Sequence, residues 1–289
     1  MFLWSGISEF VFVAQTTSFT AAAKQLGIST AQVSRQISAL EKRLNTKLFY
    51  RTTRKVTLTE EGAIYYQHCR QVMTSLEDAE RAMSNLQNSP QGLIKVTAPV
   101  AYGEKYIMPL ISDFMVKYPE ITVNMVLTNQ TLDLIEGGYD LAIRMGKLHD
   151  STMIAKQLTC RTQYVCASPA YLEKFGIPHS LSELHQHNCL VGNSEHWRFI
   201  EAGKQKSIRV TGTIHCNSGY GLRDAALKGI GLIKLPDYYI TDDLKSGALV
   251  SILEHYQETA ESISALYPQN RHLSPKVRFL VDYLAEQLS

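Results

Sequence analysis

Residues 29–41 read STAQVSRQISALE, and this segment decides the fold of the N-terminal part of the chain. Apolar residues recur at Val33, Ile37, Leu40 and Leu44, at spacings of four, three and four, which predicts a helix with one apolar face. The opposite face carries hydroxyls, amides and one guanidinium, and no acidic residue occurs before the end of the segment. Such a face can offer hydrogen-bonding groups to base edges without repelling phosphate.

A shorter helix is predicted just before this segment. Its apolar positions, with small residues where a second helix must approach closely, are Phe19, Ala22, Ala23 and Leu26. Gly27 suits the left-handed turn between the two helices, and Ser29 suits the N-cap of the second. The pattern predicts a helix-turn-helix whose second helix enters the major groove. Helical spacing alone favours an ordinary helical hairpin, but the sequence that follows reverses this preference.

The sequence that follows predicts a wing. Residues 47–58 read KLFYRTTRKVTL, with β-branched ends and a basic middle, as in a two-stranded hairpin. Arg51, Arg54 and Lys55 lie near its tip. A solvated charge run is the usual interpretation of such residues, but beside a recognition helix an arginine at a hairpin tip can enter the narrow minor groove. An additional helix over Ile7 to Ala14 is predicted to support these elements.

Charge is distributed unevenly along the chain. The whole chain has 29 basic and 27 acidic residues, a net charge of +2. Residues 1–59 hold eight basic and two acidic residues, so this part carries +6 and the remainder −4. The asymmetry predicts a phosphate-binding surface at the N-terminus and leaves the rest of the chain for another task.

A long helix is predicted over residues 60–88, which contain no proline and one glycine. Its apolar residues follow a heptad seam: Tyr65, Cys69, Val72, Leu76, Ala79, Met83 and Leu86. A helix of this length measures roughly 43 Å. Packing on its own domain is the alternative, but the length and the narrow seam favour pairing with a second copy of the chain.

Strands and helices alternate beyond the break at residues 88–92. Predicted strands cover 93–98, 122–128 and 140–144, and predicted helices cover 104–118 and 131–137. A second alternating series covers 163–168, 169–175, 181–185, 190–192, 221–228 and 231–235, before a last helix at 276–288. This order predicts α/β units with mainly parallel sheets, in which ligands bind at the carboxyl ends of the strands.

Several longer motifs resemble those of the LysR-type transcriptional regulators. The N-terminal part carries SFxxAAxxL at 18–26, VSRQIxxLE at 33–41 and LFxRxxRxxxLTxxG at 48–62. The C-terminal part carries GYDLAIR at 138–144, ASPxYL at 167–172 and GxGLxxLP at 229–236. Asn45 departs from the glycine that the family usually has after the recognition helix, but asparagine also suits a left-handed helix end.

The resemblance implies an α+β multidomain fold in three parts. These are a winged helix-turn-helix DNA-binding domain at 1–59, a linker helix for dimerisation at 60–88 and an effector-binding domain at 91–289. The effector domain is expected to be α/β and similar to periplasmic binding proteins. Its subdomain I is expected at about 91–160 and 270–289 and its subdomain II at about 161–269, with crossovers near 159–163 and 267–273.

The resemblance also implies the site residues. The expected DNA-binding residues are Thr30, Ala31, Gln32, Ser34, Arg35, Arg51, Arg54 and Lys55. The expected effector-binding residues are Val100, Ala101, Tyr102, Thr128, Asn129, Arg144, Met145, Asn193, Asn217 and Ser218. Many relatives have a hydroxyl residue where this chain has Val100 or Ala101, which weakens the case for a carboxylate effector. Arg144 still offers a fork for an anion, and pairing with Asp140 is the alternative.

Other function classes have weaker signals. His185-x-His187-x-Cys189 has metal-ligating residue types, but a solvated turn explains it better. Redox sensing by Cys160, Cys166 or Cys216 competes with the usual role of buried cysteine as a small hydrophobe. No G-x-S-x-G, H-E-x-x-H or Walker-type loop occurs, so we predict no enzyme, no metal and no cofactor beyond a small effector of unknown identity.

Length and composition limit the number of domains and the compartment. A chain of 289 residues with 45% hydrophobic composition is long enough for two or three domains. No segment approaches the roughly 20 apolar residues of a membrane span, and five cysteines without a C-x-x-C pair suit a reducing compartment. We therefore expect a cytoplasmic protein with no membrane partner.

The predicted function is a sequence-specific transcriptional regulator whose DNA binding responds to a small effector. Its expected partners are double-stranded DNA with an inverted-repeat operator, further copies of the chain in a dimer or tetramer, and RNA polymerase if it activates transcription. Two alternatives remain at this point. One is a small-molecule-binding protein or enzyme with an incidental helical domain, and the other is an architectural protein that binds DNA without regard to sequence.

Overall fold

The computed structural model describes residues 4–51, 56–84, 90–146, 153–268 and 274–288. The N-terminal domain consists of α1 (Ile7–Thr16), α2 (Phe19–Leu26), α3 (Thr30–Leu44), β1 (Phe49–Arg51) and β2 (Val56–Leu58). β1 and β2 pair antiparallel, with Phe49 opposite Leu58, so the predicted winged helix-turn-helix is confirmed. Arg54 and Lys55, at the predicted wing tip, lie outside the described residues.

A long helix, α4 (Glu60–Ser84), follows the wing. The last four residues of the prediction, 85–88, lie outside the described part of the chain, as do the side chains of Ala79 and Met83. Thr59 Oγ1 accepts a hydrogen bond from the Gly62 N–H at 2.9 Å and thereby caps the start of α4. The helix therefore begins at the predicted position.

The core of the N-terminal domain follows from the apolar stripe of α3. Val33, Ile37 and Leu40 are at most 1% exposed and pack with Phe10 of α1 and Leu48 before the wing. Gly27 and Asn45 adopt positive φ angles of 67° and 50°, so both predicted left-handed helix ends are confirmed. Spacing along the sequence thus determined which face of α3 is buried.

Subdomain I of the effector domain contains a five-stranded sheet. Its elements are β3 (Gly92–Ala98), α5 (Val100–Tyr102), a π-helical turn (Gly103–Ile107), α6 (Met108–Lys117), β4 (Ile121–Leu127), β5 (Leu141–Met145), β6 (Met153–Arg161) and, after subdomain II, β12 (Glu261–Pro268) and α10 (Pro275–Leu288). The strand order is β4-β3-β5-β12-β6. β3 runs parallel to β4 and β5, whereas β12 runs antiparallel to β5 and β6. α6 and α10 pack on one face of the sheet.

The helix predicted over 131–137 is wrong, because this segment forms turns. Asp133 Oδ1 accepts hydrogen bonds from the N–H groups of Ile135 and Glu136 at 2.8 and 2.9 Å. These side-chain bonds compete with helical backbone bonds. Gly138 then adopts a φ of 61°, which ends the segment.

Subdomain II contains a three-stranded sheet and a separate hairpin. Its elements are β7 (Gln163–Ala167), α7 (Pro169–Phe175), a 3₁₀ turn (Leu181–Gln186), β8 (His196–Glu201), β9 (Lys204–Arg209), α8 (Gly219–Leu227), β10 (Ile233–Pro236), α9 (Asp237–Ser246), β11 (Val250–Ile252) and a 3₁₀ turn (Glu254–Tyr256). The sheet has the order β10-β7-β11, and both pairs are antiparallel. The predicted mainly parallel arrangement is therefore wrong here. The strand predicted at 190–192 is reduced to isolated parallel bridges at Cys189 and Val191.

Two crossovers connect the subdomains. The first is Thr162, between β6 and β7, inside the predicted range. The second covers residues 253–260, between β11 and β12, and not the predicted 267–273. The chain has already returned to the first sheet by residue 261, because residues 261–268 form a strand that pairs with both β5 and β6.

Candidate DNA interface and effector cleft

The N-terminal end of α3 presents polar side chains on its free face. Ser29 Oγ accepts a hydrogen bond from the Gln32 N–H at 3.2 Å, which confirms the predicted N-cap. Exposed residues follow at Thr30, Ala31, Gln32 and Arg35, and Ser34 is half-buried. The structure therefore brings the predicted base-reading residues together on one accessible surface.

Glu41, near the other end of α3, is a buried acid that is 3% exposed. Its Oε1 accepts hydrogen bonds from the N–H groups of Leu48 and Phe49 at 2.9 and 3.3 Å, and its Oε2 pairs with Lys47 Nζ at 3.3 Å and Arg51 Nη2 at 3.1 Å. Burial acts to raise the pKa of Glu41, but the hydrogen bonds and the Arg51 charge outweigh it, so the pKa lies below its usual value. Glu41 therefore joins the recognition helix to the wing.

Arg51, a predicted DNA contact, has partners inside the domain. Besides Glu41, its guanidinium lies over the Phe19 ring, 4.9 Å from the centroid. Its side chain is 32% exposed. The described contacts thus give Arg51 a part in holding the wing, and its contact with DNA remains a prediction.

The predicted seam of α4 divides into two parts. Cys69 is 5% exposed and Tyr65 packs 5.4 Å from the Phe10 ring, so these positions belong to the core of the N-terminal domain. Val72 and Leu76, the next two positions, are 40% and 57% exposed. The exposed part of the predicted seam therefore begins at Val72.

Two loops of subdomain I meet at the carboxyl ends of β3 and β4. Asn129 Oδ1 accepts a hydrogen bond from the Val100 N–H at 3.1 Å, and Thr128 Oγ1 accepts one from the Gln130 N–H at 3.1 Å. Val100, Ala101 and Thr128 are half-buried, and Asn129 is exposed. The loop residues predicted for this side of the cleft therefore lie together.

Tyr102 differs from the prediction that it lines the cleft. Tyr102 is 4% exposed, with its ring 5.0 Å from that of Tyr106 and 5.4 Å from that of Tyr238. Burial raises the pKa of Tyr102 above its usual value. Tyr102 is thus a packing residue of subdomain I. Met145 is half-buried, with its Sδ 3.0 Å from Arg161 Nη1, and its contact with an effector remains a prediction.

The residues predicted for the second side of the cleft lie on two adjacent segments of subdomain II. The Val191 N–H donates to Ile214 O at 2.9 Å, and the Cys216 N–H donates to Val191 O at 2.9 Å. These bonds hold the segment before Asn193 beside the segment before Asn217, and both asparagines are exposed. Ser218 is also exposed, and its Oγ accepts the Gly221 N–H at 3.3 Å as the N-cap of α8.

α9 connects the two subdomains through tyrosines that the sequence analysis missed. Tyr238 belongs to the core of subdomain I, and its carbonyl oxygen accepts a bond from Lys105 Nζ at 2.6 Å. Tyr239 stacks 4.6 Å from Tyr238 and 4.9 Å from Tyr220 of α8. A Cβ at Gly219 would overlap the Tyr239 ring, so that glycine is required for the stack. The two adjacent tyrosines that follow Pro236 were the only sequence pattern that could have indicated this contact.

Ion pairs connect the two crossover segments to each other and to subdomain II. The sequence analysis did not predict these residues either. Arg161, at the end of β6, pairs with Glu261 at the start of β12, with Nη2 to Oε2 at 2.7 Å. Arg198 of β8 pairs with the same carboxylate at 2.8 Å, and Lys234 pairs with Glu258 of the second crossover at 2.9 Å. Burial lowers the pKa of Lys234. No sequence spacing relates these residues, because the tertiary structure brings them together.

The candidate metal and thiol residues have ordinary surroundings. His187 Nδ1 lies 3.3 Å from Tyr171 OH, His185 contacts the Ser182 carbonyl, and Cys189 Sγ lies 3.5 Å from Leu184 O. Within the described ranges, no group of three or more His, Cys, Asp or Glu residues could hold a metal ion. Burial raises the pKa of Cys166 and of Cys189 to about 12, so both thiols stay protonated near neutral pH.

Two family models match the chain. The model described as "Bacterial regulatory helix-turn-helix protein, lysR family" matches residues 6–63, and the model described as "LysR substrate binding domain" matches residues 87–289. The first match contains the recognition helix and the wing. The second contains all the residues predicted to bind the effector.

Similar proteins extend over nearly the whole chain. An uncharacterized HTH-type transcriptional regulator of Haemophilus influenzae is 35% identical over 277 residues, which cover 94% of this chain and 96% of that protein. The HTH-type transcriptional activator TtdR of Escherichia coli is 33% identical over 280 residues, which cover 95% and 90%. The structure of CrgA, a LysR-type transcriptional regulator from Neisseria meningitidis, is 31% identical, covers 98% of each chain and has a TM-score of 0.63.

Proposed function

The chain belongs to the LysR-type family of transcriptional regulators, and from this premise we propose that it binds an inverted-repeat operator and that a small effector in its cleft modulates the binding. Regulators of this family combine a helix-turn-helix domain with an effector-binding domain, and the chain has both.

The burial of Glu41 is the observation that carries the DNA-binding proposal. Glu41 is the one acidic residue of α3, and its charge is paired with Lys47 and Arg51 inside the domain. The recognition helix therefore presents no acidic group to phosphate, while Arg35 is exposed at its N-terminal half. We assign base and phosphate contacts to these residues of α3: Thr30, Ala31, Gln32, Ser34 and Arg35.

The wing supplies the second part of the proposed DNA contact. Arg54 and Lys55 reach the minor groove or the flanking phosphates in this proposal. Arg51 contacts phosphate with the guanidinium donors that Glu41 does not use, because arginine has five N–H donors. The wing then adds affinity, while α3 adds most of the sequence preference.

A second copy of the chain is the proposed partner of α4. Val72 and Leu76 are one helical turn apart, so their exposed side chains lie on the same face. Pairing two such helices buries these side chains and relates the two DNA-binding domains by a two-fold axis. A two-fold axis in turn predicts an inverted-repeat operator, which a dimer or a tetramer can occupy.

The effector is proposed to bind between the two subdomains. Val100, Ala101, Thr128 and Asn129 approach it from one side, and Asn193, Asn217 and Ser218 approach it from the other. A ligand that contacts both sides binds a closed cleft more tightly than an open one, so it shifts the equilibrium by that difference in affinity. The Tyr238 stack and the charged crossovers carry the shift to the packing of the effector domains.

If this chain activates transcription, RNA polymerase is its further partner. The E. coli relative TtdR is named as a transcriptional activator. The proposed location is the cytoplasm, where operator DNA is found. None of the described helices is long and apolar enough to cross a membrane.

Selection of bound fragments from genomic DNA tests the proposed function directly. We expect the full chain to enrich fragments that share an inverted repeat with half-sites about one helical turn or a multiple apart. The enriched site is then titrated with the protein in the presence and absence of pooled metabolites. Enrichment without any common sequence would contradict specific binding and favour an architectural protein.

A further inference from the structure

The β8–β9 hairpin carries a side chain that reaches out of subdomain II. Arg198 lies in β8, and its Nη2 donates a hydrogen bond to Glu261 Oε1 at 2.8 Å. Glu261 is the first residue of β12, a strand of the subdomain I sheet. The Arg198 Nε also lies 3.6 Å from Glu258 Oε1, in the second crossover. One guanidinium therefore contacts both the crossover and the strand that follows it.

The backbone of Arg198 is fixed in subdomain II. Its neighbours along β8, Trp197 and Phe199, are buried and pack in the core of that subdomain. The Arg198 carbonyl oxygen accepts a hydrogen bond from Lys234 Nζ of β10. The backbone of this residue is thus held by one subdomain, while its guanidinium is paired with Glu261 of the other.

The other arginine that binds Glu261 comes from subdomain I. Arg161 ends β6 and is the register partner of Glu261 in the β12–β6 pair. Its Nε and Nη2 donate to Glu261 Oε2 at 3.0 and 2.7 Å, while Oε1 accepts from Arg198. Burial acts to raise the pKa of Glu261, but the two guanidinium groups outweigh it, so the pKa lies below its usual value. The carboxylate therefore stays charged near neutral pH and binds one arginine from each subdomain.

Rotation of one subdomain against the other affects these two ion pairs differently. The chain passes between the subdomains at Thr162 and at residues 253–260. In a hinge motion, a few residues between two rigid bodies absorb the change in φ and ψ angles. Arg161 and Glu261 belong to one sheet, so their pair moves as a unit. Arg198 belongs to the other subdomain, so its distance from Glu261 changes with the angle between the subdomains.

The hairpin also begins close to a residue predicted to bind the effector. β8 starts three residues after Asn193. The base of the hairpin is closed by the Val210 N–H, which donates to Glu195 O at 2.8 Å. A short, hydrogen-bonded segment therefore connects Asn193 to Arg198, and a displacement of the first residue is passed to the second.

We propose that Arg198 is a positioning residue for the effector response, because its ion pair with Glu261 latches the β8–β9 hairpin to subdomain I and holds the angle between the subdomains. The regulatory part of this inference rests on the proposed function, whereas the latch itself does not. The side chain of Arg198 is 57% exposed, and an exposed ion pair contributes little stability, so the latch is weak enough to open. An effector that contacts both sides of the cleft can therefore shift the angle by its difference in affinity.

Amide hydrogen exchange of the full chain tests the latch. Inside the second crossover, the N–H groups of Tyr256 and Gln257 donate to the carbonyl oxygens of Leu253 and Glu254, each at 3.0 Å, so their exchange reports opening of the hinge. Arg198→Met should speed exchange across this crossover by about threefold or more, because the crossover loses an ion pair that restrains it. Unchanged exchange there in Arg198→Met would overturn the proposal.

Arg209→Met is the matched control. Arg209 lies opposite His196 in the same hairpin, so it shares a face with Arg198. Its Nη2 pairs with Glu195 Oε2 at 3.0 Å, inside subdomain II. Its replacement removes the same charge and should leave exchange of residues 253–260 unchanged. Equally fast exchange in both variants would overturn the proposal, because it would show a general effect of lost charge on the hairpin.

A DNA titration tests the regulatory part separately. The probe is the metabolite pool that changes the affinity of the wild type for its selected operator. Arg198→Met should shift the amount of pool that gives half the response by about threefold or more, because the free energy of moving the hinge has changed, and Arg209→Met should not. Faster hinge exchange with an unchanged response supports the latch and overturns its regulatory role. Failure of the wild type to select any operator would contradict the proposed function, while hydrogen exchange would still decide on the latch.

Discussion

Arg51 Nη2 lies 3.1 Å from Glu41 Oε2, and this ion pair joins the end of the recognition helix to the first strand of the wing. The same carboxylate accepts the backbone N–H groups of Leu48, just before that strand, and of Phe49, its first residue. Four groups of the wing segment thus converge on one buried acid. The orientation of the wing relative to α3 therefore depends on a side chain that does not itself contact DNA.

Glu41→Gln should loosen the wing. The amide leaves Arg51 without its counterion and cannot accept all the hydrogen bonds that the carboxylate accepts. We expect the free energy of unfolding to fall by on the order of 1 to 3 kcal/mol. Amide hydrogen exchange of residues 47–51 measures the effect, and we expect faster exchange there. Glu61→Gln, at an exposed position at the start of α4, is the control. It should lower the free energy of unfolding by at most about 1 kcal/mol. Equal protection of the wing in wild type and Glu41→Gln would contradict the assigned role.

Acid should loosen the wing in the same way. The pKa of Glu41 in the folded protein is below its unfolded value of about 4.3, so its stabilisation is fully present above that value. The stabilisation is lost as pH falls through the folded-state pKa. Wing protection in the wild type should therefore decrease below about pH 4, whereas Glu41→Gln should lack this step. A step of the same size in the variant would assign it to another group.

Arg35 and Arg51 should respond differently to replacement by alanine. Arg35→Ala should cost on the order of 1 to 3 kcal/mol of DNA affinity and relax the preference at one position of each half-site, as a base contact does. Arg51→Ala should weaken binding to all sequences alike, because it disturbs the wing through Glu41. Competition titrations against a half-site library measure both effects. Unchanged affinity and preference in Arg35→Ala would remove that residue from the interface.

Val72 and Leu76 should control self-association. Leu76→Asp places a charge where the proposed helix pair buries an apolar side chain, and should weaken the dimer by about 100-fold. Sedimentation velocity over a dilution series measures the shift toward monomer. His68→Asp, at an exposed position of α4 outside the seam, should leave the association unchanged. Dissociation by both variants would show a general effect of added charge.

Thr128 and Asn217 should couple the effector to DNA. Thr128→Val and Asn217→Ala should each abolish the influence of the effector on DNA affinity, while effector-free binding stays within about threefold, or roughly 0.6 kcal/mol. Thr128→Ser keeps the hydroxyl that accepts the Gln130 N–H and is the matched control. DNA titrations with and without the effector measure the coupling. A full response in both variants would locate the effector elsewhere.

Predictions from sequence held best where a single element shows its own periodicity. The spacing of Val33, Ile37 and Leu40 gave the buried face of α3, and Gly27 and Asn45 gave the turns at both ends. Prediction failed where a long-range partner decides the outcome. Residues 261–268 join the first sheet because β5 and β6 lie on either side of them, and no local pattern announces that pairing.

The candidate sites show the same division. Thr128, Asn129 and Val100 were predicted from their positions after strands, and the two loops that carry them do meet. Glu261, by contrast, has no sequence signal, and only the tertiary structure brings it beside Arg161 and Arg198. Tyr102 was predicted in the cleft because it follows β3, but stacking with Tyr106 and Tyr238 buries it.

The sequence by itself determined the order of the domains, the recognition helix and its polar face, and the positive N-terminal part. These depend on residues within a few turns of one another, whose spacing and charge are read directly from the chain. Only the tertiary structure decided that Glu41 is buried against the wing, that Tyr238 joins the subdomains and that Arg161 and Arg198 share the carboxylate of Glu261. Burial and pairing of polar groups depend on residues distant in sequence, because backbone register and packing, and not local spacing, bring those groups together.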